Sequence, residues 1–342
     1  MTQDAPVREE TGGAGEEKRP NLFSRLSGTF LRRREVGIFV VAVALLIYFQ
    51  SVNPAFLSQG NIRTLAQFVA ATAIVAFGLV MVMILGEIDL SVGQAFAFAP
   101  IVMYLAYSSL FLTLWLALIV GLLATAAIGL INGVVRVYFG VPSFVTTLGM
   151  FFLLTGVNVI LTGGFPKIPP EGGWINQAFG AHPWSGIAWC AVILVCMHLL
   201  LNYTRWGMHT FATGGNFVGA REAGIKVDRI RIGNFMLCST LAGFAGLLEA
   251  MRIDTIDPLA GGADTMFLAI SAAVIGGTPL AGGVGTIIGA FIGTLVLSIL
   301  RNGFTLEGVS AYTFNVILGV AILIVMVLNI YVGRLRRGGR IT

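Results

Sequence analysis

From Val36 to Val332 the chain is a succession of apolar windows, each about 15 to 22 residues long, joined by short polar or glycine-rich connections. A helix needs about 20 apolar residues to cross about 30 Å of hydrocarbon. Backbone amides in lipid must be paired within the spanning element, and the runs lack the two-residue alternation of barrel strands, so the windows read as helices. Hydrophobic residues make up 56% of the chain and charged residues only 11%, which excludes a water-soluble fold. The 44 glycines fit helices packed through small residues. The expected fold is all-α, a polytopic transmembrane helical bundle.

The windows predict about ten spans: Val36 to Phe49, Leu65 to Leu85, Gln94 to Phe111, Leu112 to Val134, Ser143 to Thr162, Trp184 to Leu200, Ile232 to Ala250, Thr265 to Ile275, Gly283 to Leu300 and Ala311 to Val332. The third and fourth nearly touch. The eighth is short and flanked by glycine, the mark of a tilted, broken or re-entrant segment.

Charge orients the stack. Lys18, Arg19, Arg25 and Arg32 to Arg34 precede the first span, and Arg334, Arg336, Arg337 and Arg340 follow the last. Both termini are therefore expected in the cytoplasm, which requires an even number of crossings. The loop holding Arg205, Arg221, Lys226, Arg229 and Arg231 falls on the same side, and the Pro- and Gly-rich loop Gly163 to Pro183 on the other. Three regions follow: residues 1–30 as a disordered cytoplasmic tail, 31–333 as the membrane domain, and 334–342 as a basic cytoplasmic tail. The acidic start and late apolar run do not fit a signal peptide.

Cys190, Cys196 and Cys238 lie in apolar spans without metal-ligand spacing and read as small buried hydrophobes; His182, His198 and His209 are scattered, so no metal is expected. The three lysines are followed by Arg19, Ile168 and Val227, so no GxxxxGK[ST] phosphate loop can be written. If ATP drives this protein, another subunit hydrolyses it.

Three segments carry the remaining information. GEIDLSVG, Gly86 to Gly93, sits between two spans. Gly86 and Gly93 permit a tight turn, Asp89 or Ser91 can cap a helix restarting near Val92, and Glu87 and Asp89 are two carboxylates where ionisable groups must face protein or water. It reads either as a solvated acidic turn or as a gate beside a path. In ATGGNFVGAREAGI, Ala212 to Ile225, Gly214 and Gly215 break the chain, Asn216 can cap, and Phe217 to Ala223 reads as a short helix stopped by Gly224. Such a helix must dock, on its own bundle or on a partner that meets Ala220, Arg221 and Glu222. In Gly276 to Gly303, Gly285, Gly289 and Gly293 recur every four residues, the pattern of close helix contact, within the bundle, at a dimer seam or along a pore.

Together with Ile131 to Gly149, INGVVRVYFGVPSFVTTLG, these segments in this order resemble the membrane permease subunit of bacterial ABC sugar importers of the ribose/xylose/galactose type, over nearly the whole chain. Glu87 stands where that family often has Gly, and Gln94 where Ser is common. The resemblance implies a multi-pass protein of the bacterial cytoplasmic (inner) membrane. Its partners would be a second permease copy in a homodimer, a cytoplasmic ABC ATPase holding ATP and Mg, and an extracytoplasmic sugar-binding protein. No cofactor in this chain and no nucleic acid are implied. It also implies that Gly214, Gly215, Asn216, Ala220, Arg221, Glu222 and Gly224 couple to the ATPase.

A monosaccharide presents hydroxyls in every direction, so its path calls for neutral polar groups and an aromatic face; Asn132, Phe144, Thr146, Thr147 and Asn158 are the candidate lining, unless they serve helix-to-helix bonding. Gly86, Glu87, Asp89, Ser91 and Gly93 are the candidate gate or structural turn. The rival classes are a proton-coupled secondary transporter using Glu87, Asp89 or Glu249, and a non-transporting membrane scaffold.

Overall fold

A computed structural model describes residues 34–310 and, beyond them, 313–317, 319, 320 and 323. The two predicted tails, 1–30 and 334–342, and most of the last expected span lie outside the described residues. The helices are α1 (Arg34–Val52), α2 (Gln59–Ile84), α3 (Val92–Ser108), α4 (Leu114–Tyr138), α5 (Ser143–Thr162), α6 (Ser185–Tyr203), α7 (Arg205–Gly215), α8 (Phe217–Glu222), α9 (Val227–Ile253), α10 (Gly262–Ile275) and α11 (Ile287–Leu306).

Six of these, α2, α4, α5, α6, α9 and α11, are long and apolar enough to cross a membrane; three shorter apolar helices, Val36–Val52, Val92–Ser108 and Gly262–Ile275, accompany them. The expectation of about ten full spans is thus met only in part among the described residues. α10 has 14 residues, about 21 Å of helix, and the chain turns at Gly276-Gly277 before α11. Helix borders also exceed the apolar windows. α9 begins five residues before the predicted Ile232, because Asp228, Arg229 and Arg231 continue the same helix past its apolar part.

α2 is the hub. Every residue from Ala73 to Leu85 is buried, so its apolar character all round is explained by protein on every side. α9 packs against α2, α3 and α4, while α10 and α11 close the other flank together with α1. α5 and α6 sit at the periphery with Phe152, Leu153, Ile160, Val192, Val195 and Leu199 exposed, an outer face fit for lipid. Cys190 and Cys238 are buried, but Cys196 is exposed on α6, contrary to expectation.

Close helix approach depends on glycine. A Cβ on Gly246 of α9 would lie 1.7 Å from the Phe96 carbonyl oxygen of α3, so no side chain fits without parting the two helices. Gly246→Val is expected to cost about 3 kcal/mol, read as a lower thermal unfolding midpoint in detergent. The glycines of α11 have the same use. Cβ atoms on Gly289 and Gly293 would meet the carbonyl oxygens of Gly276 and Ala272 at 2.0 and 2.2 Å, so this stripe packs on α10 within one chain.

At the end of the bundle opposite Arg136, an aromatic cluster ties the loops down. Trp115 packs on Trp174 and Phe179 with ring centroids 5.3 and 5.9 Å apart, and the Trp189 indole donates to the Ala178 carbonyl at 2.9 Å. Lys167 and Ile256 exchange backbone hydrogen bonds of 3.0 and 2.8 Å, pinning the 163–183 loop to the turn after α9.

Candidate functional site

The segment between α2 and α3 is built as a turn, then an extended strip, then a restarted helix. Gly86 has φ +72°, a left-handed conformation that suits glycine. Its N–H donates to the Met83 carbonyl at 2.9 Å and that of Glu87 to the Val82 carbonyl at 3.3 Å, a Schellman closure of α2. Residues 88–90 are then extended, with backbone N–H groups that no helix satisfies. α5 supplies the acceptors: Ser143 Oγ takes the Ile88 N–H at 3.2 Å and Thr147 Oγ1 takes the Leu90 N–H at 3.0 Å. Two extended residues two positions apart thus meet two hydroxyls one helical turn apart.

Asp89 points away from α5 and is fully buried. Its Oδ1 accepts from the Ser91 N–H at 2.9 Å and the Ser91 hydroxyl at 2.6 Å; its Oδ2 accepts from the Ser239 hydroxyl of α9 at 3.3 Å. Ser91 Oγ in turn accepts from Asn132 Nδ2 at 2.9 Å. Asp89 therefore organises the start of α3, whereas the Ser91 side chain makes no cap bond of its own. Asp89 lies between the spans, and burial pushes its carboxyl up from the ordinary 3.8 to about 6, against the lowering effect of the Ser91 and Ser239 bonds. The folded state then holds the proton more tightly than the unfolded chain, so stability falls as pH rises from about 4 to about 6. Asp89→Asn is expected to remove that slope, measured as unfolding midpoints at pH 4 and pH 8.

The candidate path residues divide. Asn132, Thr147 and Asn158 are fully buried beside this segment, Asn158 Nδ2 reaching the Gln94 side-chain and backbone oxygens at 3.1 and 3.2 Å. Asn132 and Asn158 each keep a buried Oδ1 without a partner. Phe144 and Thr146 are not brought to them: Phe144 is exposed and the Thr146 hydroxyl bonds back to the Pro142 carbonyl.

Glu87 is not a solvated acid. It is 3% exposed and held by two guanidinium groups. Arg136 Nε, from the last turn of α4, reaches Oε1 and Oε2 at 2.8 and 2.9 Å, and Arg231, from the second turn of α9, bonds Oε1. Desolvating one carboxylate is tolerable because two cations share it. Sequence reasoning missed this pairing, although a signal existed. Arg136 is the only charged residue between Asp89 and Lys167, and an ionisable group inside such a stretch calls for a partner.

α8 leads back to the same place. Asn216 caps it, Oδ1 accepting the Gly219 N–H at 3.0 Å, and Gly224 ends it with φ +81°, as the local sequence predicts. The Arg231 guanidinium lies 4.8 Å from the Phe217 ring centroid, and that of Arg221 lies 4.9 Å from it. Gly215, Asn216, Val218, Arg221, Glu222 and Ala223 are exposed, but Ala220 is buried, so it seats the helix instead of meeting a partner.

All three glycine-rich segments converge on one carbonyl. The Ile84 oxygen accepts the Gly283 N–H at 2.8 Å, and a Cβ on Gly214 would lie 1.8 Å from that oxygen. Trp206 and Asn234 brace the junction: the indole donates to Asn234 Oδ1 at 2.7 Å, and Asn234 Nδ2 reaches Thr210 Oγ1 at 3.1 Å. Among the described residues there is no cluster of His, Cys, Asp and Glu that would hold a metal. The site offers a mechanical joint between an exposed helix and a turn in the bundle.

The family model described as the branched-chain amino acid transport system / permease component matches residues 61–326. The xylose/arabinose import permease protein XylH of Sulfolobus acidocaldarius is 38% identical over 310 residues, 89% of this chain and 87% of that protein. The ribose import permease protein RbsC of Escherichia coli K12 is 33% identical over 302 residues, 85% of this chain and 92% of its own length. RbsC of Bacillus subtilis is 34% identical over 301 residues, 86% and 92% of the two chains. No solved structure matches at a significant level.

Proposed function

Because the chain belongs to the family of ABC transport permease components, a membrane-spanning subunit whose ATPase is a separate partner, we propose that it forms the translocation path of a monosaccharide importer. One observation supports a sugar over the amino acids in the family's description: pentose import permeases share 33 to 38% of residues over 85 to 89% of the chain. The six long and three shorter apolar helices, with the apolar stretch Ala311 to Val332, make ten crossings. Basic tails then place both termini in the cytoplasm, and α7 and α8 with them.

Two copies enclose the path, α8 of each docks on the ATPase, and a sugar-binding protein delivers substrate to the other face. Closure of the ATPase moves α8, the joint at Ile84 moves with it, and the helices around the path reorient, which is alternating access. Asn132 and Asn158, each with a free Oδ1, supply neutral acceptors to a polyhydroxylated substrate when the turn shifts.

The test is uptake into proteoliposomes holding this chain with its partner ATPase and binding protein, using labelled xylose, ribose, galactose and leucine. ATP-dependent accumulation of a monosaccharide, unchanged by an ionophore, is expected. Accumulation of leucine alone, or uptake that ignores ATP and collapses with the ionophore, overturns the reading.

A further inference from the structure

Glu87 joins helices that are far apart in sequence, and it does so at the foot of the docking helix. α8 has six residues and cannot persist alone. On its inner side the Phe217 ring touches two guanidinium groups: Arg221, on the same helix and tied to Asp228 at 3.2 Å, and Arg231, on α9. Arg231 then spends its other contact on Glu87, which also receives Arg136. A continuous route therefore runs from Phe217 through Arg231 to Glu87, two residues before Asp89 and the start of α3.

The two struts of this joint differ in kind. Gly214 against the Ile84 carbonyl is a backbone contact that transmits only a push, because nothing bonds the pair. The Arg231 bond to Glu87 resists separation, since parting it leaves a carboxylate and a guanidinium buried without each other. Trp206 and Thr210 tie α7 through Asn234 to the Met81 carbonyl of α2, but from α8 itself the direct side-chain route to the turn runs through that bond.

We propose that Glu87 is a positioning residue for transport: its ion pairs with Arg231 and Arg136 carry the outward movement of α8 to the turn that begins α3, and so set how many sugars move per ATP hydrolysed. This rests on α8 being the ATPase-docking helix. The position acts through geometry and charge together. Glutamine at 87 keeps the shape but not the charge, aspartate keeps the charge but falls one methylene short, and lysine at 231 keeps the charge but loses the planar fork that meets both the carboxylate and the ring.

The experiment uses the assembled complex in proteoliposomes and measures sugar uptake, ATP hydrolysis and co-purification of the ATPase for Glu87→Gln, Glu87→Asp, Phe217→Leu and the double variant Glu87→Gln/Phe217→Leu. Glu87→Gln is expected to retain the ATPase while the sugar-to-ATP ratio falls about tenfold. Glu87→Asp recovers part of that ratio. The double variant is no worse than the worse single one, because both cut the same route. Phe217→Leu lowers the ratio while leaving Glu87, Arg136 and Arg231 all in place, so the proposal stands or falls on it if the Glu87 variants fail to assemble. A wild-type ratio in Phe217→Leu, or in an assembled Glu87→Gln complex, overturns it. Failure of the docking premise looks different: Glu222→Arg would then leave both co-purification and uptake at wild-type levels.

Discussion

Replacing Glu222 with arginine is expected to strip the ATPase from the complex or to cut ATP-dependent uptake at least about tenfold, with insertion and thermal stability unchanged. Glu222 is exposed on the last turn of α8 and makes no ion pair or side-chain hydrogen bond among the described residues, so the folded chain loses little when it changes. Its surroundings are basic. Arg205, Arg221, Lys226 and Arg229 lie on the same segment, and the nearby Asp228 is already paired with Arg221. Reversal at 222 therefore makes the exposed helix uniformly positive and adds length on the face that would enter a partner. A bulky side chain at Val218, which is 63% exposed, is the matching steric variant; Ala220 is unsuitable because it is buried and its enlargement would unseat the helix. Co-purification and uptake, measured on the same preparations, decide the matter. Wild-type values for both Glu222→Arg and Val218→Trp would remove α8 from the docking surface.

What could be read from the sequence was whatever local chemistry determines. Asn216 as a cap and Gly224 as a stop need only the residues three or four positions away, and both are found. Apolar windows locate the helices because lipid and protein interior make the same demand. They misplace the borders because a helix needs no apolar side chain to continue: α2 starts at Gln59 and α9 at Val227, each several residues ahead of its apolar part. The two carboxylates of GEIDLSVG show the other limit. Glu87 and Asp89 stand two apart in sequence, yet one is ion-paired with arginines and the other is bonded to serines. Those partners, Arg136, Arg231 and Ser239, lie 49 to 150 positions away, where no local pattern reaches. The stripe of Gly289 and Gly293 was legible as a close contact, but only the fold identifies α10 as the helix it meets. Asn132, Thr147 and Asn158 were legible as polar groups in apolar spans. What they bond follows only from the fold: Thr147 accepts the N–H of Leu90 in the extended strip, while Asn132 and Asn158 donate to the Ser91 hydroxyl and to the Gln94 oxygens at the start of α3.

The adjacent glycines Gly214 and Gly215 are expected to behave oppositely, although nothing in their sequence separates them. A Cβ at 214 would stand 1.8 Å from the Ile84 carbonyl oxygen, which already accepts the Gly283 N–H, so backbone must give way on one side or both. A Cβ at 215 meets nothing within 4 Å. Gly214→Ala therefore parts α7 from the end of α2, with a stability loss of about 3 kcal/mol, and it disturbs the joint through which α8 acts. Uptake should fall with it, and raising the amount of ATPase should not restore it, because the defect lies inside the permease. Gly215→Ala is the stability control. It closes α7 without a positive φ, and alanine in a helix is favoured over glycine by about 0.5 to 1 kcal/mol, so its midpoint should equal or exceed that of wild type. Thermal unfolding in detergent for both variants is the measurement. Equal midpoints for the two would mean that the contact between Gly214 and Ile84 is loose, and that the bonds of Trp206 and Thr210 to Asn234 hold α7 to the bundle.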